Sequence, residues 1–279
     1  MDTEKKYVVV PWDFTESSEY SLAHAIQLAR VMNNGILLLK IISTKKGFLG
    51  SKKSVSTNEV ATLKEKMEAK AKEIKETTKL DAIALVKPGD SKRLVINEIK
   101  SANANLVVLP YRYPLVGKRY KNSVFNSIIT ESNIPFVVTS KRPRHDYYKE
   151  LVVPVDHDKK YKESLAWILY LSRYYNCNVN MIKPFITDPF MKKDMANNIY
   201  FTKKMLDKHG VVYGIKTAKR KQPFKAETFR FTELIDADII VMMLKQYNKW
   251  ISREEKLNTS SPIMIVPPRS DLIKYGALA

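Results

Sequence analysis

Two residue types that small folded proteins often depend on are scarce in this 279-residue sequence, which holds one cysteine and eight glycines. A single thiol, Cys177 between Asn176 and Asn178, excludes an intrachain disulfide and argues against a disulfide-stabilised secreted fold. With no cysteine or histidine clustered beside it, it reads as a structural thiol. The shortage of glycine bears on phosphate chemistry, because most glycine-dependent phosphate loops need several glycines in one turn. Long uncharged apolar runs are missing as well, and Met1–Lys6 has no apolar leader core, so a soluble, cytoplasmic protein with no membrane partner is expected. The four histidines (His24, His145, His157, His209) are scattered without metal-ligand spacing. His157 stands between Asp156 and Asp158, but neighbours at a strand end commonly point apart, so no acid–base pair is expected there. Nucleophile elbows, Walker loops and Rossmann fingerprints are also lacking, and no enzyme, catalytic residue, metal or cofactor is expected.

Acidic residues are in the minority: 48 Lys and Arg face 29 Asp and Glu, a formal net charge of +19. Residues 1–145 hold 25 basic and 14 acidic side chains and residues 146–279 hold 23 and 15, so the excess is not one basic tail. Such a balance favours an anionic partner (a nucleotide, nucleic acid or a membrane surface) over a neutral one, or else a solvated lysine-rich surface.

The chain repeats itself. "YVVVPWDF" at 7–14 returns as "ELVVPVDH" at 150–157, an offset of 143 residues. The helix-like "SLAHAIQLARVMNN" at 21–34 returns at the same offset as "SLAWILYLSRYYNC" at 164–177. "ANLVVLPYR" at 104–112 answers to "ADIIVMMLK" at 237–245, and "IPFVVTSKR" at 134–142 to "SPIMIVPPR" at 261–269. In each copy short β-branched runs alternate with segments of helical period. Those runs predict strands at 7–10, 36–42, 82–87, 106–109 and 136–139, then at 151–155, 179–182, 211–216, 239–243 and 263–266. Helices are predicted at 18–32, 59–78, 91–102 and 123–132; Val60, Leu63, Met67, Ala71 and Ile74 form the clearest stripe. Helices between strands act as crossovers, and strands apolar throughout are buried on both faces. The predicted fold class is therefore α/β, with two tandem domains at 1–142 and 150–269. A linker at 143–149 joins them, and residues 270–279 form a tail.

Val8-Val9-Val10-Pro11-Trp12-Asp13 and Leu151-Val152-Val153-Pro154-Val155-Asp156, each followed by a Ser-Leu-Ala helix, resemble the universal stress protein family. "KPGDSKRLVINEIKSANANLVVLP" at 87–110 is similar to that family's third strand, Gly-Asp turn, helix and fourth strand. The resemblance implies an open five-stranded parallel sheet with helices on both faces in each domain, of the adenine nucleotide alpha hydrolase-like type. It further implies pairing of the two copies as an intrachain pseudo-dimer, with a homodimer as a further option. ATP would sit at the carboxyl ends of the strands, the general position for open α/β sheets. The family's adenine-contacting aspartate falls on Asp13 and Asp156; a strand-ending, helix-capping role is an equal reading of both.

The phosphate part departs from the family. Its motif is a glycine, two residues, a glycine, nine residues, and a glycine followed by Ser or Thr. Here those positions fall on Leu109, Arg112, Asn122 and Ser123. Asn122 is the mildest change, since Asn tolerates left-handed backbone. Arg112, Lys118, Arg119 and Lys121 instead offer charge, helped by a helix beginning near Ser123. In the second copy the stretch between Met243 and Pro262 has no glycine, and the Gly89-Asp90 turn has no clear counterpart. ATP in the family's usual manner is thus not expected in the second copy. The candidate ligand residues are Asp13, Arg112, Lys118, Arg119, Lys121, Asn122, Ser123 and Asp156. The function expected is a non-catalytic stress-adaptation protein that acts by protein association or on a non-standard anionic small molecule. Alternatives are ATP binding through Asp13, Ser123 and the basic loop, and nucleic-acid association. Basic stretches with interspersed aromatics at 141–145 and 216–225 favour the latter, but no recognition motif accompanies them, and nucleic acid is not expected as the partner.

Overall fold

The computed structural model describes residues 5–43, 57–89, 91–251, 254 and 256–268. Asp90 and the 270–279 tail, both noted in the sequence, lie outside the described residues. The chain forms two compact units, Met1–Arg142 and Pro143–Ala279.

In the first, the strands are β1 (Tyr7–Pro11), β2 (Gly35–Ile42), β3 (Ala82–Pro88), β4 (Ala104–Pro110) and β5 (Phe136–Thr139). The helices are α1 (Glu16–Met32), α2 (Thr57–Thr78), α3 (Lys92–Ser101) and α4 (Asn122–Ser132). The strands order as β3-β2-β1-β4-β5, all parallel, with Val9 opposite Leu37 on one side and Val107 on the other. Val8, Val9 and Val10 are all fully buried. Since successive strand residues face opposite sides, both faces of the sheet are covered. α1 packs on β1, β4 and β5, α2 on β2 and β3, and α3 on β4 and α4.

The second unit repeats this order with β6 (Glu150–Pro154), β7 (Asn178–Lys183), β8 (Tyr213–Thr217), β9 (Ile239–Met243) and β10 (Ile263–Val266). These run β8-β7-β6-β9-β10, again parallel. Its helices are α5 (Leu165–Tyr175), α6 (Pro189–Lys208), α7 (Phe224–Leu234) and α8 (Leu244–Trp250). The repeat extends to helix ends: Asn33 closes α1 at φ 52° and Asn176 closes α5 at φ 53°, the left-handed position that Asn tolerates.

Two differences from the expected elements matter for the site. The segment before α5 is a 3-10 helix, Lys159–Ser164, capped by the side chain of Asp158. And α8 leaves β9 with no intervening loop, where the first domain has a long one. Leu244, Tyr247, Trp250 and Ile251 recur at three or four residues and are buried, which is why this stretch coils.

Candidate functional site

Each central strand runs on for one residue beyond its Pro. Trp12 N–H donates to the Leu39 carbonyl at 2.9 Å, and Val155 N–H donates to that of Ile182 at 2.8 Å. This extension brings Asp13 and Asp156 to the carboxyl ends of the two sheets, where a ligand crevice forms in open α/β folds.

In the first domain Asp13 is turned to its own backbone. Its Oδ1 accepts from Thr15 N–H at 3.1 Å, Thr15 Oγ1 at 2.6 Å and Ser18 Oγ at 2.5 Å. Thr15 in turn caps α1 by accepting from Ser18 N–H. Burial pushes the Asp13 carboxyl up, but the hydrogen bonds from Ser18 and Thr15, with the Lys40 charge, outweigh it and hold the group below the usual carboxylate range. The geometry here is that of a helix start.

The loop leaving β4 turns back over the same crevice. Tyr113 N–H donates to the Pro110 carbonyl at 3.1 Å, which aims Tyr113, Pro114 and Leu115 at the strand ends. These side chains meet Pro11, Leu39, Ile41 and Val95 around a residual space of about 20 Å³. That volume holds about one water. Leu115 is only 8% exposed, and burial, reinforced by the Asp13 charge, raises the Tyr113 phenol far above its ordinary range.

The basic residues of this loop do not converge on that space. Lys118, Arg119, Lys121 and Ser123 are exposed. Arg112 keeps the left-handed backbone that a glycine would favour, φ 59°, and its guanidinium lies 5.4 Å from the centre of the Tyr120 ring. Tyr120 OH donates to Asn122 Oδ1 at 3.1 Å, and Lys121 stands at the N-cap of α4 without a side-chain capping bond.

Asp156, the one candidate in the second domain, is placed differently. It lines a cavity of about 330 Å³ together with Asp158, Tyr161, Met243, Leu244 and Lys245. A neighbouring cavity of about 400 Å³ shares Asp156, Asp158 and Lys245 and adds His157, Lys159, Asp194 and Lys249. His157 does not point away as expected from its position: Nδ1 lies 2.9 Å from Asp156 Oδ1. The turn from Asp156 to Asp158 curls on itself, with Asp158 N–H 3.3 Å from Asp156 Oδ1, and this brings the imidazole round.

Four hydrogen bonds hold this crevice. Asp158 Oδ1 accepts from Lys160 N–H at 3.0 Å, and Oδ2 accepts from Lys245 Nζ at 2.6 Å, tying the end of β6 to the first turn of α8. The Lys245 ammonium and the Lys160 N–H hold the Asp158 carboxyl below its usual range. Asn198 of α6, only 2% exposed, donates to the carbonyls of Asp156 at 2.6 Å and Asp158 at 3.0 Å. Sequence reasoning missed Asn198; the available signal was an amide in a stripe otherwise filled by Met195, Thr202, Met205 and Leu206. Among the described residues no group of three or more His, Cys, Asp and Glu side chains could hold a metal ion, and no helix is long and apolar enough to cross a membrane.

Residues 5–140 match the model described as Universal stress protein family. A search of curated proteins finds no match in sequence. Among solved structures, a universal stress protein from Archaeoglobus fulgidus is similar with a TM-score of 0.64 and 14% identity, covering 94% of this chain and 98% of that one. A functionally unknown protein from Pseudomonas aeruginosa PAO1 is similar with a TM-score of 0.57 and 15% identity, covering 97% of this chain and 94% of that one. At these identities the two structures share the fold, across both domains. Residues 5–140 thus match the universal stress protein family model, and the second domain repeats the strand order of the first.

Proposed function

We propose that this chain is a non-catalytic stress-adaptation protein in which the first domain has lost the family's ATP site. It acts through protein association or by binding a non-standard anionic small molecule. The observation that carries the reading is the packing of Tyr113, Pro114 and Leu115 against Pro11, Leu39 and Ile41 at the strand ends, which leaves about 20 Å³ between them among the described residues. The chemistry of the side chains supports the non-catalytic part. Cys177 is buried against the Tyr148 carbonyl, and burial pushes its thiol up to about 12, far from a nucleophile at neutral pH. The second crevice, with Lys160 and Lys245 on its wall, is where this reading places a small ligand.

The test is calorimetric titration of the full chain with ATP, AMP and cyclic dinucleotides, beside Asp13→Ala and a Lys118→Ala/Arg119→Ala double variant. No ATP binding dependent on those residues is expected. Saturable micromolar ATP binding that both variants abolish would overturn the proposal in favour of a nucleotide-binding first domain. Binding lost only on Asp156→Ala would support the second crevice as the ligand site and leave the first domain's loss standing.

A further inference from the structure

Beyond the carboxyl ends of β7 and β8, the second domain shows apolar side chains to solvent beside a dense basic rim. Phe190 is 81% exposed, Phe185 46% and Met191 44%. Next to them lies a groove of about 260 Å³, lined by Phe185, Ile186, Met195 and Ile199 with Lys183 and Lys192 at its edge. The Arg220 guanidinium sits 5.5 Å from the centre of the Phe185 ring. Lys192, Lys193, Lys219, Arg220 and Lys221 are all exposed. Residues 183–193 and 216–225 together contain a single carboxylate, Asp188, whose Oδ1 is engaged by Met191 N–H at the N-cap of α6.

Protruding aromatic side chains ringed by lysine and arginine match the interface of an anionic bilayer, where rings enter the headgroup boundary and cations meet lipid phosphates and carboxylates. The charge alone would also suit a nucleic acid. The groove wall, however, is mostly aliphatic, and Phe185 already carries Arg220 on its face. It offers bases little to stack on but accepts hydrocarbon readily. We propose that this face of the second domain docks on membrane surfaces rich in anionic phospholipid, with Phe185, Phe190 and Met191 entering the interface and Lys183, Lys192, Lys193 and Arg220 meeting the headgroups. The proposal is independent of whether either crevice holds a ligand.

The experiment is co-sedimentation of the full chain with large vesicles of phosphatidylcholine, alone or with phosphatidylserine. The protein pellets with the phosphatidylserine vesicles, far less with phosphatidylcholine alone, and is released as salt rises. Phe185→Ala/Phe190→Ala lowers the partition coefficient by about tenfold or more. Lys192→Glu/Lys193→Glu lowers it by about fivefold or more per residue. Both substitutions fall on exposed side chains, so an unchanged thermal midpoint verifies that the fold is intact. No partition onto phosphatidylserine vesicles at low salt, or partition indifferent to both variants, overturns the proposal. Binding of a single-stranded oligonucleotide or an acidic apolar peptide that needs Phe185 and Phe190, with no vesicle binding, overturns it too and assigns the face to that partner.

Discussion

Pro11-Trp12-Asp13 and Pro154-Val155-Asp156 hold the same place at the end of the central strand in the two domains, yet among the described residues Asp156 lines a cavity of about 330 Å³ while the strand ends of the first domain border a space of about 20 Å³. The strands do not account for this, since their order and direction are the same in both. The difference lies in the segment that leaves the fourth strand. After β4 the chain makes a loop that lays Tyr113, Pro114 and Leu115 across the strand ends; after β9 it coils at once into α8, whose first turn stands at the wall as Leu244 and Lys245. The two aspartates diverge accordingly, Asp13 taken up by the start of α1 and Asp156 left on a cavity wall beside His157. One sheet can thus carry an open or a closed crevice, depending on whether its fourth strand runs into a helix or a folded-back loop.

The largest expected effect lies in the residue between Pro and Asp. Trp12 is fully buried, with Lys70 Nζ 5.5 Å from the centre of its ring. Trp12→Ala is expected to cost about 3–5 kcal/mol in the urea transition followed by circular dichroism. Val155→Ala removes far fewer buried atoms and should cost clearly less. Equal costs would show that the indole is not what packs the end of the first sheet.

A smaller effect tests how the second crevice is held. Asn198 satisfies the carbonyls of Asp156 and Asp158 from inside the core. The first domain's turn is held instead by the Asp13 carboxylate, with Thr15 and Ser18 as donors. Asn198→Ala removes both amide hydrogen bonds, leaving Tyr161 N–H on the Asp158 carbonyl but taking the amide donor from that of Asp156, and is expected to cost about 1–3 kcal/mol. It should also broaden the amide resonances of residues 156–158 while leaving those of 13–18 unmoved. Unperturbed resonances at 156–158 would mean that the turn does not depend on the amide.

Much of this was legible in the sequence. The repeat at a fixed offset and the period of each run gave two five-stranded α/β domains, because buried parallel strands and amphipathic crossover helices leave unmistakable patterns. The closed crevice was half-legible. Tyr113-Pro114-Leu115 is an apolar run inside a basic loop, but the cations around it dominate the pattern, and charge says nothing about which way a loop folds. The helix α8 was hidden behind the comparison with a glycine motif, which obscures the stretch's own helical period. The His157–Asp156 contact could not be had from sequence, since it depends on the curl of one short turn.

The smallest effect separates two ways of keeping a carboxylate ionised. Both Asp13 and Asp158 titrate below the ordinary value of 3.8. A depressed carboxyl contributes stability that is fully present above the unfolded-state value and is lost as pH falls through the folded one, so each domain weakens on the acid side of about pH 4. The causes differ. Asp13, raised by burial, is brought down chiefly by hydroxyl and backbone donors, whereas the first cause for Asp158 is the Lys245 ammonium at 2.6 Å. Lys245 is 81% exposed, so its pair with Asp158 is screened by salt and contributes little to stability. Carboxyl titration by NMR should therefore show Asp158 rising toward its ordinary value on Lys245→Ala or in high salt, with Asp13 moving little in either case and the urea midpoint unchanged. An Asp158 indifferent to both treatments would mean that the turn's own amides, rather than the tie to α8, hold the acid side of the second crevice.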